Sequence, residues 1–356
     1  MPSHRGSMSQ NSTAPGLPHL RGHHMTIRAD AGPAIGIGHV MRCLALAEAW
    51  RAGGGTVSLV SRDLPDGLNA RAKRLGVAVN RADDDGSGAW ADGADLAVID
   101  GWTFTMELIA ATASRARLLV IDDTAERSSI PADLVLNPNV YAKAGAYAGR
   151  TTARLLIGPA FALLRREFTE PPPERRYPPV ARHILLLLGG ADPIGASETT
   201  LTAARATQTK EPRIERITLV VGAANPAREA LLAQTAGDPA IEVQYDVTAM
   251  APLMDSADLA VSASGSTVLE LAARGVPMLL GALIDEEQPV INAMQTLGAG
   301  SALGRFDDLD VTGLADVILA FARDPASRRA QSEIARTIVD GQGVARVIAA
   351  CLETAR

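Results

Sequence analysis

The sequence predicts an α/β protein of two Rossmann-like domains, each a parallel sheet wrapped by helices, facing one another across a central cleft. Three observations carry that prediction. From Met25 onward, short apolar runs alternate with longer stretches of helical period. The alternation breaks once, over residues 168–179, where five prolines forbid a regular helix or a central strand. Aromatic residues make up only 3% of a chain that is 47% hydrophobic, so its cores are built from Ala, Leu, Val and Ile. That composition suits parallel sheets buried on both faces.

The elements follow in order. Residues 1–24 are rich in Ser, Pro, Gly and Asn without periodicity and read as a disordered leader or tag. An N-terminal domain is expected over 25–167, opening with a strand over 25–29, a glycine-bearing turn and a helix over 39–52. Further strands are expected at 56–60, 95–100, 117–122 and 133–136, with helices at 68–75 and 104–114. Residues 168–181 form a stiff Pro-rich linker. The pattern restarts in a second domain over 182–340, with strands at 182–188, 214–221, 241–244, 259–262 and 277–280. Its helices are expected at 196–206, 226–235, 267–274, 288–297, 312–323 and 326–339. A terminal helix within 341–356 closes the chain.

Length and composition exclude several classes. At 356 residues the chain is long enough for two domains and their cores. A net charge of -6 argues against a nucleic-acid partner, which needs a basic surface, yet leaves room for a local basic pocket. Two distant cysteines, Cys43 and Cys351, build neither a disulfide framework nor a metal site, and the default location is cytoplasmic. No apolar run approaches the ~18 residues of a membrane-spanning helix, so stable membrane insertion is not expected. Oligomeric state does not follow from the sequence. Four of the six histidines lie within residues 1–24, which leaves His39 and His183 in the folded part.

Three glycine- or serine-rich turns carry the candidate chemistry. In Gly36-Ile37-Gly38-His39-Val40-Met41-Arg42, glycines let the backbone approach a ligand, and the following helix aims N–H groups at an anion. His39 sits at the helix start with Arg42 one turn on; the plain alternative is a tight turn with an exposed histidine. The third glycine and paired acid of a dinucleotide fingerprint are missing. Ser264-Gly265-Ser266-Thr267 repeats the strand–turn–helix arrangement in the second half and suits a diphosphate. Glu270, one turn into that helix, suits two ribose hydroxyls, although Thr267-x-x-Glu270 also reads as a capping box. Leu188-Gly189-Gly190-Ala191-Asp192 is either a phosphate or sugar contact or a simple turn. Asp122-Asp123 reads as a turn or helix cap rather than a metal site, so no metal is expected. His183 reads as structural, and Trp50, Trp90 and Trp102 are too scattered for a stacking platform.

Taken in order, these blocks resemble one family from Met25 onward. Arg28-Ala29-Asp30, then residues 36–47, Val120-Ile121-Asp122-Asp123, residues 158–165 and residues 188–193 look like the pseudaminic-acid-pathway UDP-sugar hydrolases. The turn and helix over 264–270 is similar to the nucleotide site of the wider GT-B group. The resemblance implies a GT-B fold and a metal-independent, cofactor-free enzyme. It would hydrolyse a UDP-linked 2,4-diacetamido-2,4,6-trideoxyhexose with inversion at the anomeric carbon, in nonulosonic (pseudaminic) acid biosynthesis. His39 would be the general base, with Asp30 holding the imidazole or the sugar. Gly36, Gly38, Arg42, Gly190, Asp192, Ser264, Gly265, Ser266, Thr267, Glu270, Glu287 and Gln288 would bind substrate. Relatives tend to carry Asp-His-Tyr where this chain has Asp100-Gly101-Trp102, and Asn-Gln where it has Glu287-Gln288. The second change removes hydrogen-bond donors and adds negative charge beside a diphosphate. The alternatives are a GT-B glycosyltransferase using a UDP-amino-sugar donor, and a catalytically silent sugar-nucleotide-binding protein.

Overall fold

The computed structural model describes residues 18–32, 35–82, 86–222, 225–245, 247 and 249–353. Its first half contains β1 (His24–Ala29), α1 (Gly38–Ala52), β2 (Thr56–Ser61), α2 (Asp66–Arg74), β3 (Ala78–Arg81) and β4 (Leu96–Asp100). It continues through α3 (Met106–Ala113), β5 (Leu118–Ile121), β6 (Leu134–Asn137) and β7 (Arg154–Ile157). The second half runs β8 (His183–Leu187), α4 (Ala196–Lys210), β9 (Arg216–Val221), α5 (Arg228–Thr235), β10 (Ile241–Tyr245) and α6 (Met250–Ser256). Then come β11 (Leu259–Ala263), α7 (Thr267–Arg274), β12 (Met278–Ala282), α8 (Gln288–Leu297) and β13 (Ser301–Arg305). Helices α9 (Val311–Ala322), α10 (Pro325–Ile338) and α11 (Gly343–Glu353) complete the chain.

All named strand pairs are parallel, in two sheets ordered β3-β2-β1-β4-β5-β6-β7 and β10-β9-β8-β11-β12-β13. Each order reverses direction once, between β1 and β4 and between β8 and β11. Ligands of doubly wound sheets bind outside the carboxyl ends of the strands at such points. The central strands are buried along their whole length, β4, β8, β11 and β12 at every residue. This matches their continuous apolar sequence.

Four elements depart from what the sequence announces. β3 reads Ala-Val-Asn-Arg and is largely exposed, because it is an edge strand with little to bury. β7 is also an edge strand and opens on an exposed Arg154. β13 contains Gly304 and a register shift against β12. α6 carries Pro252 in its first turn, where a missing N–H costs nothing. The tail boundary expected at residue 24 is too late: Leu20 is fully buried in the first core and His24 already belongs to β1. Leu20 earns that burial by packing beside Gly53, whose carbonyl accepts its N–H. The rest of the expected leader, residues 1–17, lies outside the described residues.

The passage between halves begins before the prolines. Leu163 packs into the first core while Ala162, Leu164 and Phe168 join the core of the second half. That alternation is what an extended segment lying between two apolar surfaces produces. The Pro-rich segment is then fastened to the second half by arginines. Arg175 donates to the carbonyls of Arg274 (3.0 Å), Ala257 (2.5 Å) and Met254 (2.7 Å), and Arg274 donates to that of Glu170 (2.8 Å). Burial pulls the Arg175 pKa down to about 10, with Asp255 opposing that shift. Arg175→Ala is expected to cost about 1–3 kcal/mol, because three carbonyls lose their donor. A lowered urea midpoint would report it, and an unchanged midpoint would refute the fastening role. At the other end of the chain, α11 returns to the first half, placing Val344, Val347, Ile348 and Cys351 in its core beside α1.

Candidate active site

The loop from β1 reverses at Gly36, whose φ of +80° is a backbone conformation that side chains resist, and delivers Gly38 as the first residue of α1. No side chain caps this helix start, and no acidic residue lies in its first turn. His39 and Arg42 share one face of α1, three residues apart. The neighbouring strand across the switch point, β4, ends on Asp100, which is fully buried. Asp123 follows β5, the next strand over.

These four side chains form one network. His39 Nδ1 lies 2.7 Å from Asp100 Oδ1. Arg42 donates from Nε to Asp100 Oδ2 (2.6 Å) and from Nη2 to Oδ1 (2.5 Å). The same guanidinium reaches Asp123 at 2.9 and 2.7 Å, and Asn139 donates to Asp123 at 2.8 Å. Burial alone would raise the Asp100 pKa, but the Arg42 charge and the hydrogen bonds from Arg42 and His39 outweigh it and hold the carboxyl well below the usual range. Burial likewise opposes the charge on Arg42, and Asp100 and Asp123 more than restore it. His39 Nδ1 lies between Asp100 Oδ1 at 2.7 Å and Arg42 Nη2 at 3.2 Å, and the shorter contact, to an ionised carboxylate that can only accept, favours the tautomer with the proton on Nδ1. Nε2 is then the basic nitrogen. His39 keeps a partly exposed side chain, at 16%, so that nitrogen is not sealed in the core.

Of the residues proposed from the sequence, His39 and Arg42 lie together in this network, but the carboxylate on the imidazole is Asp100 and not Asp30. Asp30 does not hold the imidazole. It is 3% exposed and its Oδ1 is turned to β2 and its own strand, accepting from Arg28, from Ser61 (3.1 Å) and from the Arg62 N–H (2.7 Å). Burial pushes its pKa up, but those donors bring it below the ordinary value. Asp100 takes the role because β4 pairs with β1 across the switch point and its carboxyl end reaches the first turn of α1. One signal for it existed in the sequence: an acidic residue ending an otherwise apolar buried strand. Asp122 and Asp123 divide their work. Asp122 accepts from the Ala125 N–H and the Tyr147 hydroxyl, as a turn former does, whereas Asp123 joins the network.

His39, Asp100 and Asp123 offer three ligand atoms within 4.8 Å of one another. The Arg42 guanidinium already bonds both carboxylates, so a cation there would have to displace a buried positive charge. The donor set fits an organised base better than a metal centre.

In the second half, Gly265 and Ser266 are exposed at the start of α7, which has no side-chain cap. The capping box expected from Thr267 and Glu270 does not form. Glu270 Oε1 instead accepts from Arg165 Nε (3.2 Å) and Nη2 (2.9 Å), tying α7 to the segment that precedes the linker. Burial raises the Glu270 pKa, with Arg165 opposing. Three other expected ligand contacts are committed internally. The Ser264 hydroxyl turns inward to the Gly281 carbonyl (3.1 Å). Asp192, at a φ of +45°, spends its carboxylate on the Ala196 and Ser197 N–H groups at 2.8 Å each, closing the start of α4. Glu287 folds back onto its own loop, accepting from the Leu283 N–H at 2.8 Å. Burial raises its pKa, and the N–H groups of Leu283, Ser264 and Ile284 counter that rise. Backbone donors therefore meet the charge that the sequence placed beside a diphosphate. Gln288 bonds Asn292 one turn on. Gly190 lies near the first half: a Cβ there would sit 3.6 Å from the Ile37 side chain, so the two glycine turns meet across the cleft.

Comparison with known proteins places this architecture. No protein-family model matches the chain. Among solved structures, a kitacinnamycin glycotransferase superposes with a TM-score of 0.60 at 15% identity, covering 93% of this chain and 98% of its own. The MurG protein of Acinetobacter baumannii gives 0.59 at 16% identity over 93% of this chain and 100% of its own. The fold is of the GT-B glycosyltransferase type. A putative UDP-N-acetylglucosamine 2-epimerase from Listeria monocytogenes shares it, with a TM-score of 0.64 at 18% identity, covering 94% and 98% of the two chains. By sequence, the spore coat polysaccharide biosynthesis protein SpsG of Bacillus subtilis (strain 168) is 25% identical over 245 residues, 67% of this chain and 70% of SpsG. An Acidithiobacillus ferrooxidans N-acetylglucosamine transferase acting on pyrophosphoryl-undecaprenol is 34% identical over 119 residues. That match spans 32% of this chain and 33% of the transferase. Among the described residues no helix is long and apolar enough to cross a membrane.

Proposed function

We propose that this protein is a metal-independent glycosyltransferase that moves an amino sugar from a UDP donor, with His39 as the general base. The observation that carries the reading is the Asp100–His39 pair at the β1/β4 switch point, with Arg42 fixing Asp100. Across the cleft stands the uncapped start of α7. The GT-B glycosyltransferase fold supports the donor class, as do the UDP-N-acetylglucosamine named for the Listeria monocytogenes protein and for the Acidithiobacillus ferrooxidans transferase and the UDP bound to an S. aureus MnaA of the same fold. In this scheme Nε2 of His39 takes the proton from an acceptor hydroxyl as that oxygen attacks the anomeric carbon. UDP departs with the bonding pair. The starts of α1 and α7 face the developing diphosphate charge. Gly36, Gly38, Gly190, Gly265, Ser266 and Thr267 line the path, Glu270 offers its second oxygen to the ribose, and Gln288 borders the sugar.

Hydrolysis of a UDP-linked diacetamido trideoxyhexose is the second reading, favoured by the ordered blocks from Arg28 to Pro193 that resemble the UDP-sugar hydrolases. Water then replaces the acceptor and the base is unchanged. Incubating the protein with UDP-N-acetylglucosamine and related UDP-amino sugars in heavy-oxygen water separates the two. UDP release that requires an added saccharide acceptor is the expected result. Release without acceptor, with label in the free sugar, selects hydrolysis. Label in UDP would mean attack at phosphorus and overturn both, and binding without any release would leave only a sugar-nucleotide-binding protein.

A further inference from the structure

Trp102 is 68% exposed, the highest value among the large hydrophobic side chains exposed in the described residues. It lies two residues beyond Asp100, so its Cα is at most ~7 Å from that of the residue holding the imidazole. An indole left in water forgoes a large burial gain; one exposed side chain is ordinary by itself, and it is further apolar surface at the same place that marks a contact. The loop that carries it is not loose. Arg127 donates to the Gly101 carbonyl at 2.8 Å and to the Phe104 carbonyl at 2.7 Å, gripping both ends. Phe104 is buried, with the Arg28 guanidinium 4.6 Å from its ring centroid. Gly101 has a φ of +151°, and a Cβ there would come within 2.8 Å of the Phe104 ring, so no side chain fits. The chain thus builds a braced loop that presents an exposed indole two residues from the carboxylate that holds the imidazole.

Ile37, Ile194 and Ile284 are also exposed, at 39%, 39% and 46%. Each sits in a loop leaving the carboxyl end of a strand at or beside a switch point, as Trp102 does. The mouth of the cleft therefore pairs a charged network with apolar surface. A pyranose has that same duality, with hydroxyls around its rim and a C–H face. We infer that Trp102 is the stacking platform for the pyranose ring of the donor sugar. This rests on the UDP-sugar reading above. The nucleotide site proposed there lies in the second half, which leaves the side next to His39 to the sugar rather than to uracil.

Tryptophan emission tests the placement directly, because Trp50 is 1% exposed and Trp90 is half-buried, leaving Trp102 as the solvent-facing reporter. UDP-N-acetylglucosamine is expected to shift the emission to the blue, UDP alone is not, and Trp102→Phe should abolish the shift. Trp102→Ala should raise the Kd for UDP-N-acetylglucosamine about tenfold and leave that for UDP unchanged. Since the side chain is exposed, an unchanged thermal midpoint is expected for both variants. Equal shifts with UDP and with the UDP-sugar, or equal loss of affinity for both, would move Trp102 to the nucleotide and overturn the inference. A UDP-sugar that binds calorimetrically without any shift would overturn it too. Failure of both ligands to bind calorimetrically would instead refute the UDP-sugar reading, and this inference with it.

Discussion

His39→Ala is expected to lower kcat for UDP-sugar turnover by about 10²–10⁴-fold, the range that a positioned general base supplies, while UDP affinity is retained. The imidazole is the group of the network that keeps a second ring nitrogen, Nε2, outside its hydrogen bonds on a partly exposed side chain. Asp100 is fully buried and held ionised, and Arg42 is spent on two carboxylates, so neither can take the proton instead. Removing the imidazole leaves the Arg42 contacts to Asp100 and Asp123 intact. The fold should therefore survive, and the loss should appear in kcat rather than in stability. Steady-state kinetics with UDP-N-acetylglucosamine, alongside calorimetric titration of UDP, would measure it. Turnover undiminished in the variant would remove His39 from the mechanism, whichever acceptor the protein uses.

The architecture was legible because parallel strands buried on both faces write themselves as uninterrupted apolar runs. β4, β8 and β12 were all visible that way. What escaped was the periphery, where the physics weakens the pattern: the exposed edge of β3, the register shift in β13 and the proline in α6. The candidate network was half legible for a related reason. His39 and Arg42 are close in sequence and on one helix face, so local spacing reveals them. Their partner Asp100 is 61 residues from His39 and joins it only through the strand order, which places β4 rather than β2 on that side of β1. Glu270 shows the reverse error, since local spacing suggested a capping box, and a distant arginine, Arg165, took its carboxylate instead.

Asp100→Ala should act on the fold as well as on the chemistry, and the pH dependence identifies its cause. Asp100 receives Nε and Nη2 of Arg42, Nδ1 of His39 and the Cys43 thiol at 3.4 Å, all with no exposure of its own. Deleting one partner of a buried ion pair typically costs about 3–5 kcal/mol, because the remaining charge is left without compensation. Asp123 still holds one edge of Arg42, which puts the expectation toward the lower end of that range. The Asp100 pKa is lowered in the folded state, so the carboxylate contributes stability above its unfolded value and loses it as pH falls through the folded one. The gap between wild type and variant in urea unfolding should thus be constant from about pH 5 to 8 and narrow only below about pH 4. A gap that instead persists undiminished well below about pH 4 would refute the ionised carboxylate as its source. Asp100→Asn separates structure from chemistry. It keeps the shape, but its amide nitrogen must face either Arg42 or the imidazole N–H, both donors. If the ring responds by moving its proton to Nε2, turnover falls as far as in His39→Ala while more of the stability survives.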